Sequence, residues 1–250
     1  MTDDVYDFLQ WTTSPASPKR DLFKANLPRI VDLDRFLDGG TTTDSFGNSV
    51  SNGSFSKIVG PGSRVGWIEG TPKLARGTSQ AGSSRSGGAP SQLTSTFLHQ
   101  LLLSGSFSAH LHQTLIPSYA SRYNKTLTAI KKQLIPLGVT MISPSFDYAG
   151  GYFFWLTLPE GLDAEKVARR AKAEENLIVA EGALFKVQGD EDGLGMRFER
   201  DIRICYAWED EKKLAEGIER LGDVIQRMLR REDGGHDDSA AVPRDIGKYQ

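Results

Sequence analysis

Cysteine is almost absent from this chain, which limits both its covalent structure and its compartment. Cys205 is the single cysteine among 250 residues, so no disulfide can form within the chain. A lone cysteine is typical of a reducing compartment, and Cys205 is expected to be a small buried hydrophobic group. The histidines lack the spacing of metal ligands, and no metal site is expected from them: His99, His110, His112 and His236.

Long apolar runs and an excess of positive charge are missing as well. No apolar run approaches the roughly 20 residues that span a bilayer, and the initial MTDDVYDFLQW carries carboxylates where a signal peptide has a basic region. The formal net charge of -2 gives no support for binding nucleic acid or a membrane. A cytoplasmic protein is expected, and 38% hydrophobic residues suffice for a core.

Turn-forming residues dominate two stretches of the chain. Residues 12–56 and 77–91 are rich in Gly, Ser, Thr, Asp and Pro, so both are predicted to be loops. After Pro90 the apolar residues follow a helical period. A long helical segment is predicted there, interrupted near Pro117 and ended by Pro136.

The last third alternates between strand and helix patterns. Strands are predicted at 150–159, 176–182 and 200–208, a helix begins at the N-cap Asp163, and an amphipathic helix follows the last strand. Such alternation favours an α/β or α+β fold. The residues after that helix, from Glu232, have the composition of a disordered tail.

The stretch NGSFSKIVGPGSRVGW, residues 52–67, places Lys57 among small residues and Arg64 beyond a glycine-proline bend. One interpretation of Lys57 is a solvated loop lysine. The other is a lysine that forms an imine with a carbonyl, with Arg64, Ser54 and Ser56 near a phosphate. A dinucleotide loop is disfavoured because the third glycine comes one position late and the strand and helix it needs are not evident. A Walker A motif is excluded because its lysine follows the glycine loop.

The same stretch resembles the S-x-S-K-x-x-x-P-G-x-R-x-G-W signature of class I/II pyridoxal-phosphate-dependent aminotransferases of fold type I. Four more stretches agree in order: DDVYDFLQW with a D-x-x-Y element, SRSGGAPSQL with S-G-G-x-P-S, GGYFFWLTLP with G-G-x-F-x-W, and RDIRICYAWEDEKKLAEGIERL with an R-[IL]-x-[FY] strand and helix. This ordered series, from residue 2 to about 230, is more specific than any single motif. The nearest branch is that of the 2-aminoadipate and kynurenine aminotransferases.

The resemblance implies roles for the residues around the signature lysine. Lys57 is the residue that forms the imine with the cofactor aldehyde. Ser54, Ser56 and Arg64 are the residues that bind the cofactor phosphate. The cofactor implied is pyridoxal 5'-phosphate, which acts as an electron sink when its ring nitrogen stays protonated.

Three further residues receive roles from the resemblance. Asp3 pairs with the ring nitrogen and Tyr6 reaches the phenolic oxygen; the alternatives are that Asp4 is the functional carboxylate and that Tyr6 is a core residue. Arg203 lies in an alternating strand, where an outward-facing arginine is common. The resemblance instead implies that Arg203 clamps the substrate carboxylate in a bidentate manner.

At the level of the whole chain, the resemblance implies an α/β fold, the C-terminal part of a fold type I transferase. The expected domains are an incomplete three-layer large domain over 1–135, an α+β small domain over 136–231 and a disordered tail over 232–250. The implied reaction is transamination between an amino acid and a 2-oxo acid, by a homodimer when the enzyme is complete. The alternative is an inactive remnant that acts as a binding or interaction protein.

The segment that precedes the D-x-x-Y element in this family has no counterpart in the sequence. That segment carries a glycine-rich turn, an aromatic residue that stacks on the cofactor ring and an asparagine partner of the phenolic oxygen. Without it, strand edges and apolar surface would be left uncovered. The 250-residue chain is therefore expected to fold poorly or aggregate and to retain cofactor weakly.

Overall fold

The computed structural model describes residues 1–14, 28–37, 45–85, 89–142, 147–187, 189 and 198–232. Its contacts divide the chain into two compact units, the first within 1–124 and 143–152, the second within 125–142 and 153–250. The domain boundary at 135/136 stays a prediction. Residues 233–250 of the predicted tail, with His236, lie outside the described residues, as do residues 86–88 of the S-G-G segment.

Two small sheets lie in the first unit. One has the order β1-β3-β4, with β1 parallel to β3 and β3 antiparallel to β4. The other pairs β2 with β6 in an antiparallel manner. Their bounds are β1 Thr2–Asp3, β2 Gln10–Thr12, β3 Ser51–Ser54, β4 Gly66–Glu69 and β6 Tyr148–Gly150. The parallel pair brings the first residues of the chain alongside the segment that leads to Lys57.

A close approach between two strands explains the glycine in β3. Gly53 lies opposite Trp67 in the antiparallel register, and a Cβ on Gly53 would lie 2.1 Å from an indole carbon. The Trp67 ring also meets the rings of Phe55 and Phe8 edge-on, with centroids 5.1 and 6.2 Å away. Glycine is required at this position because a side chain would displace the indole.

The loops predicted at 12–56 and 77–91 are wrong in part. The first stretch contains α1 (Ile30–Asp34) and β3, and helices α2 (Pro72–Ser79) and α3 (Gly82–Arg85) extend into the second. Helix α2 begins because the Thr71 hydroxyl caps it, accepting from the Leu74 amide at 3.3 Å, with Pro72 in the first turn, where no amide is needed. These local signals outweigh the small-residue composition.

The helical segment predicted after Pro90 is confirmed. It contains α4 (Gln92–Leu103), α5 (Ser106–His110) and α6 (Ile116–Gln133). A π-helical turn at Leu111–Leu115 ends two residues before Pro117, whose missing amide favours an altered hydrogen-bond pattern.

The second unit is built on an antiparallel sheet covered by two helices. Strand order is β5-β7-β9-β8, and α7 packs against α8 and β9. The elements are β5 Thr140–Met141, β7 Phe153–Thr157, α7 Ala164–Glu175, β8 Ala180–Glu181, β9 Asp201–Cys205 and α8 Leu214–Glu232. Leu156, Val167 and Ile202 are wholly buried between these layers, together with Leu221 and Ile225 of α8.

Most predictions for this unit are confirmed. Asp163 is the N-cap of α7, its carboxylate accepting from the Lys166 amide at 2.9 Å, whereas the strand predicted at 176–182 is limited to Ala180–Glu181. Cys205 is exposed, so its expected burial is wrong. The reason is the strand alternation of β9, which gives the core face to Ile202 and Ile204. In the part of the chain that the structure describes, no helix combines the length and apolar character that a membrane span needs.

Candidate functional site

Lys57 lies at the end of a short 3-10 turn, Phe55–Lys57, that follows β3 directly. Ser54 caps this turn: its hydroxyl oxygen accepts from the Ser56 amide at 3.1 Å and donates to the Ser56 hydroxyl at 2.9 Å. The local sequence therefore places two serine hydroxyls together, immediately before the half-buried lysine.

The turn is held by its backbone and by the core beneath it. The amides of Ile58, Val59 and Gly60 all approach the Phe55 carbonyl, at 3.2, 2.8 and 3.1 Å. Ile58 is buried in an apolar cluster with Leu9 and Leu111 of the same unit. Lys57 is thus attached to a fixed piece of backbone.

Two tyrosine rings flank the amine of Lys57. The Nζ atom lies 5.8 Å from the ring centroid of Tyr6 and 5.7 Å from that of Tyr152. These rings meet edge-on, with centroids 5.1 Å apart. An ammonium at such distances is attracted by the faces of aromatic rings. The arrangement places Tyr6 next to Lys57.

Asp3 is placed by the parallel register of β1 and β3. It lies opposite Asn52, whose side-chain amide donates to the Asp3 carboxylate at 2.9 Å. Because side chains alternate along a strand, Asn52 and Ser54 share one face of β3. Asp3 therefore belongs to the face that carries Ser54. The neighbouring Asp4 carboxylate instead accepts from the Thr2 hydroxyl at 2.7 Å.

Arg64 follows the glycine-proline bend in a left-handed conformation with φ of 48°. Its side chain is exposed, and one guanidinium nitrogen donates to the Pro61 carbonyl at 3.3 Å. Just before it, the Ser63 hydroxyl is buried without a hydrogen-bond partner among the described residues. A non-glycine residue at positive φ is uncommon and is often found where function requires it.

Arg203 belongs to the second unit and is described within that unit alone. Its guanidinium carbon lies 4.1 Å from the ring centroid of Phe153 and 4.0 Å from that of Phe185. Trp155 is its register partner on β7. The side chain is half-buried, unlike the solvated arginine that strand alternation alone favours. Stacking on aromatic faces leaves a guanidinium able to bind through the atoms in its plane.

An ion-pair cluster around Arg29 lies in the first unit. Arg29 contacts the carboxylates of Asp7, Asp32 and Glu69 at 3.5, 2.9 and 2.7 Å. Burial, followed by repulsion from the Asp4 carboxylate, raises the pKa of Asp7 to about 6. The hydrogen bonds from Arg29 lower the pKa of Asp32 and that of Glu69. Asp7 therefore changes charge at a higher pH than an ordinary aspartate does.

Sequence reasoning missed Tyr152, Tyr119 and Asn52. Tyr152 lies within GGYFFW, which the sequence assigned to a strand as a whole, but β7 begins only at Phe153. Tyr119 is one polar residue within a long helical pattern. A tyrosine directly after two glycines was the one available signal, since glycines allow close backbone approach.

Comparisons with known proteins agree with the resemblance drawn from the motifs. A protein of Saccharomyces cerevisiae described as uncharacterised, YER152C, is 38% identical over 230 residues, which are 90% of this chain and 48% of that protein. The 2-aminoadipate transaminase of Thermus thermophilus is 31% identical over 212 residues, 84% of this chain and 48% of the enzyme. No protein-family profile matches the chain.

One of the solved structures that resemble this chain contains a cofactor adduct. It is LysN, the α-aminoadipate aminotransferase of Thermus thermophilus, complexed with N-(5'-phosphopyridoxyl)-L-leucine. The match has a TM-score of 0.67 and 30% identity and covers 91% of this chain and 50% of LysN. The α/β assignment to part of a fold type I chain is confirmed. The chain is a homologue of the pyridoxal-phosphate-dependent aminotransferases and spans about half the length of the relatives it matches.

Proposed function

We propose that this chain carries the cofactor-binding lysine of an aminotransferase that moves an amino group from an α-amino acid to a 2-oxo acid. The observation that carries the proposal is the setting of Lys57. Its amine lies beside the rings of Tyr6 and Tyr152, and the hydroxyls of Ser54 and Ser56 come just before Lys57 in the chain. The phosphopyridoxyl adduct of LysN shows that a homologous structure accommodates such a cofactor.

The residues present fit the phosphate of pyridoxal 5'-phosphate. Ser54 and Ser56 supply hydroxyl donors at the start of the turn, and Arg64 supplies an exposed guanidinium after the bend. The buried, unpartnered hydroxyl of Ser63 is a further donor that a phosphate oxygen would satisfy. Hydroxyls with an arginine are a donor set that favours a doubly charged phosphate.

The other matched residues carry the groups that the cofactor ring needs, although the structure leaves Asp3 exposed. The carboxylate of Asp3, on the strand face of Ser54, would keep a ring nitrogen protonated, and the Tyr6 hydroxyl would bind the phenolic oxygen. When bound, pyridoxal phosphate supplies an electron sink that stabilises negative charge at the substrate Cα. The amine of Lys57 would then accept a proton from that carbon as a general base.

Arg203 would bind the α-carboxylate of the amino acid. Phe153 and Phe185 hold its planar fork by stacking, and a planar fork matches a carboxylate with two parallel hydrogen bonds. Lysine at this position would lose both the stacking and the bidentate geometry.

The substrates and the assembly are inferred from the relatives. A 2-aminoadipate-type or aromatic amino acid is the proposed amino donor, because one relative is a 2-aminoadipate transaminase and another is an aromatic-amino-acid aminotransferase. A homodimer and a cytoplasmic location remain predictions from the sequence.

The test is to trap the cofactor on the protein. The full chain is incubated with pyridoxal phosphate, reduced with borohydride and digested, and the pyridoxyl label is located by peptide mass mapping. The label is expected on Lys57 and should vanish in Lys57→Ala together with turnover. Lys73→Ala is the matched control, because Lys73 also lies over an aromatic ring, that of Phe46, but outside the proposed site. A label distributed over other lysines would sink the proposal.

A binding protein without turnover is the second candidate. The same experiment separates the two functions. Labelling at Lys57 with transfer of amino groups supports the enzyme, whereas labelling at Lys57 without transfer supports a protein that binds the cofactor and no longer turns over.

A further inference from the structure

Tyr152 connects directly to the backbone of the proposed cofactor lysine. Its hydroxyl donates to the Lys57 carbonyl at 2.7 Å, and its ring lies beside the Lys57 amine. One side chain therefore contacts Lys57 at both ends, at the main chain and near Nζ. Tyr6, the other flanking ring, was matched by the sequence, but Tyr152 received no role from it.

A second tyrosine supports this contact. The Tyr119 hydroxyl donates to the Tyr152 hydroxyl at 3.2 Å, and their rings lie 4.8 Å apart at an angle of 38°. A hydroxyl that accepts one hydrogen bond becomes a better donor for the next, because aligned bonds polarise each other. The hydrogen bonds run from Tyr119 through Tyr152 to Lys57.

The two glycines before Tyr152 explain why it lies there. A Cβ on Gly150 would lie 2.7 Å from the Leu9 carbonyl oxygen, and Gly151 has a φ of +74° and packs against the Tyr6 ring. These positions require glycine, since a side chain would clash in one case and strain the backbone in the other. The backbone is thereby fixed at the residue before Tyr152.

We infer that Tyr152 is a positioning residue for Lys57 and that Tyr119 acts through it. The inference rests on the proposed function of Lys57 as the cofactor lysine. The hydroxyl of Tyr152 holds the carbonyl end of the turn while the ring limits where the amine can move. An amine held near its attack position reacts faster than one that samples many orientations.

The experiment compares three substitutions that each remove one hydroxyl and keep the ring: Tyr152→Phe, Tyr119→Phe and the control Tyr123→Phe. Tyr123 lies on the same helix as Tyr119 and packs against Trp11. In each variant the rate at which pyridoxal phosphate labels Lys57, trapped with borohydride, is measured against cofactor concentration. A hydrogen bond of ordinary strength predicts that Tyr152→Phe slows the maximal labelling rate about threefold to tenfold, with an unchanged half-saturating concentration of cofactor.

The double variant Tyr119→Phe/Tyr152→Phe tests whether the tyrosines act in series. Tyr119→Phe alone should slow labelling less than Tyr152→Phe, and adding it to Tyr152→Phe should change nothing further, because the group through which it acts is already gone. Equal proportional losses in both backgrounds would overturn the role given to Tyr119. If Tyr152→Phe does not fold, the single variant Tyr119→Phe still tests whether the hydrogen bond to Tyr152 affects labelling.

A measurement without cofactor separates failure of this inference from failure of the proposed function. In Tyr152→Phe, hydrogen exchange at the amides of Ile58, Val59 and Gly60 should be faster than in Tyr123→Phe, because the turn loses the bond at the Lys57 carbonyl. If wild type is labelled at Lys57 but Tyr152→Phe matches the control in both labelling and exchange, the positioning role is wrong. If wild type is not labelled at Lys57, the proposed function falls, and the exchange result alone decides whether Tyr152 holds the turn.

Discussion

The two units of this chain differ in how well each covers its own apolar residues. In the second unit, the sheet and two helices bury Leu156, Val167, Ile202 and Leu221 to 1% exposure or less. In the first unit, Phe36 is 81% exposed. Most buried hydrophobic side chains among the described residues belong to the second unit, and most large exposed ones belong to the first.

This difference concerns how the described elements of each unit cover their apolar faces. A two-layer arrangement of helices on an antiparallel sheet needs cover on one face only, and the second unit provides it. In the first unit, helix α4 exposes an apolar row that includes Leu93, Phe97 and Leu103 at 66, 61 and 69%. Such a row is normally covered in a folded protein.

The largest expected effect concerns the core of the second unit. Leu156→Ala removes a wholly buried side chain and should lower the free energy of unfolding by about 2–5 kcal/mol. Leu103→Ala, in the first unit, should change it by less than about 0.5 kcal/mol. Urea unfolding of both variants measures the difference. Equal losses would contradict the distinction between the two units.

Gly53→Ala should be the most damaging small change in the first unit. The added methyl would lie 2.1 Å from the Trp67 indole, and overpacking of this kind costs about 1–3 kcal/mol. Gly62→Ala is the matched control, since a Cβ there meets nothing within 4 Å. Thermal unfolding followed by tryptophan fluorescence distinguishes the variants. If Gly53→Ala were as stable as Gly62→Ala, β3 and β4 would accommodate the added methyl group without loss of stability, and the prediction would be wrong.

The pH dependence of the first unit should be altered by Asp7→Asn. The pKa of Asp7 is about 6 in the folded chain against 3.8 for the unperturbed group, so the folded state binds this proton more tightly than the unfolded state. The contribution is fully present below about pH 4 and is lost as pH rises through 6. At pH 7.5, Asp7→Asn should therefore increase the free energy of unfolding by up to about 1 kcal/mol, which raises the melting temperature. Near pH 4 the substitution should make no difference.

Asp32, in the same cluster, should give the opposite dependence of stability on pH. Hydrogen bonds from Arg29 lower its pKa, so its stabilising contribution is present above its unfolded pKa and is lost as pH falls. Asp32→Asn should lower the melting temperature at pH 7.5, where Asp7→Asn raises it. Melting curves at both pH values check the pair, and shifts of the same sign would show that the cluster does not control this dependence.

The smallest effect on stability is expected on α4. Replacing Leu93, Phe97 and Leu103 with glutamine should change the free energy of unfolding by less than about 0.5 kcal/mol per site, because these side chains are largely exposed. The same change should reduce self-association, measured by analytical ultracentrifugation. A wild-type chain that is already monodisperse would contradict the expectation that it aggregates.

Local patterns predicted much of this structure. Asp163 as a helix cap, the strand around Arg203 and the helical segment after Pro90 could be read directly, because caps and hydrophobic periods act over a few residues. The prediction from composition was wrong at residues 77–79, which were expected in a loop but form the end of α2. The expected burial of Cys205 was also wrong, because the face that a strand buries depends on what covers the sheet.

The ordered motifs identified several residues of the candidate site, but they did not predict which side chains lie next to those residues. The motif series identified Lys57, Tyr6 and Asp3, and the structure adds that Tyr6 flanks the lysine and that Asp3 pairs with Asn52 across a parallel register. Tyr152 lies 95 residues from Lys57 in sequence, and no local rule connects positions so far apart.

The sequence by itself determined the helical segment after Pro90 and the alternation of strands and helices in the last third. It also determined where a lysine, two serines and an arginine come close along the chain, and which family the chain resembles. Tertiary structure alone decided which rings flank the lysine amine, which hydroxyl holds its carbonyl and which apolar faces stay uncovered. The physical reason is range: caps, turns and periodicity are fixed by neighbours a few residues apart, whereas side-chain contacts and burial depend on distant segments packing together.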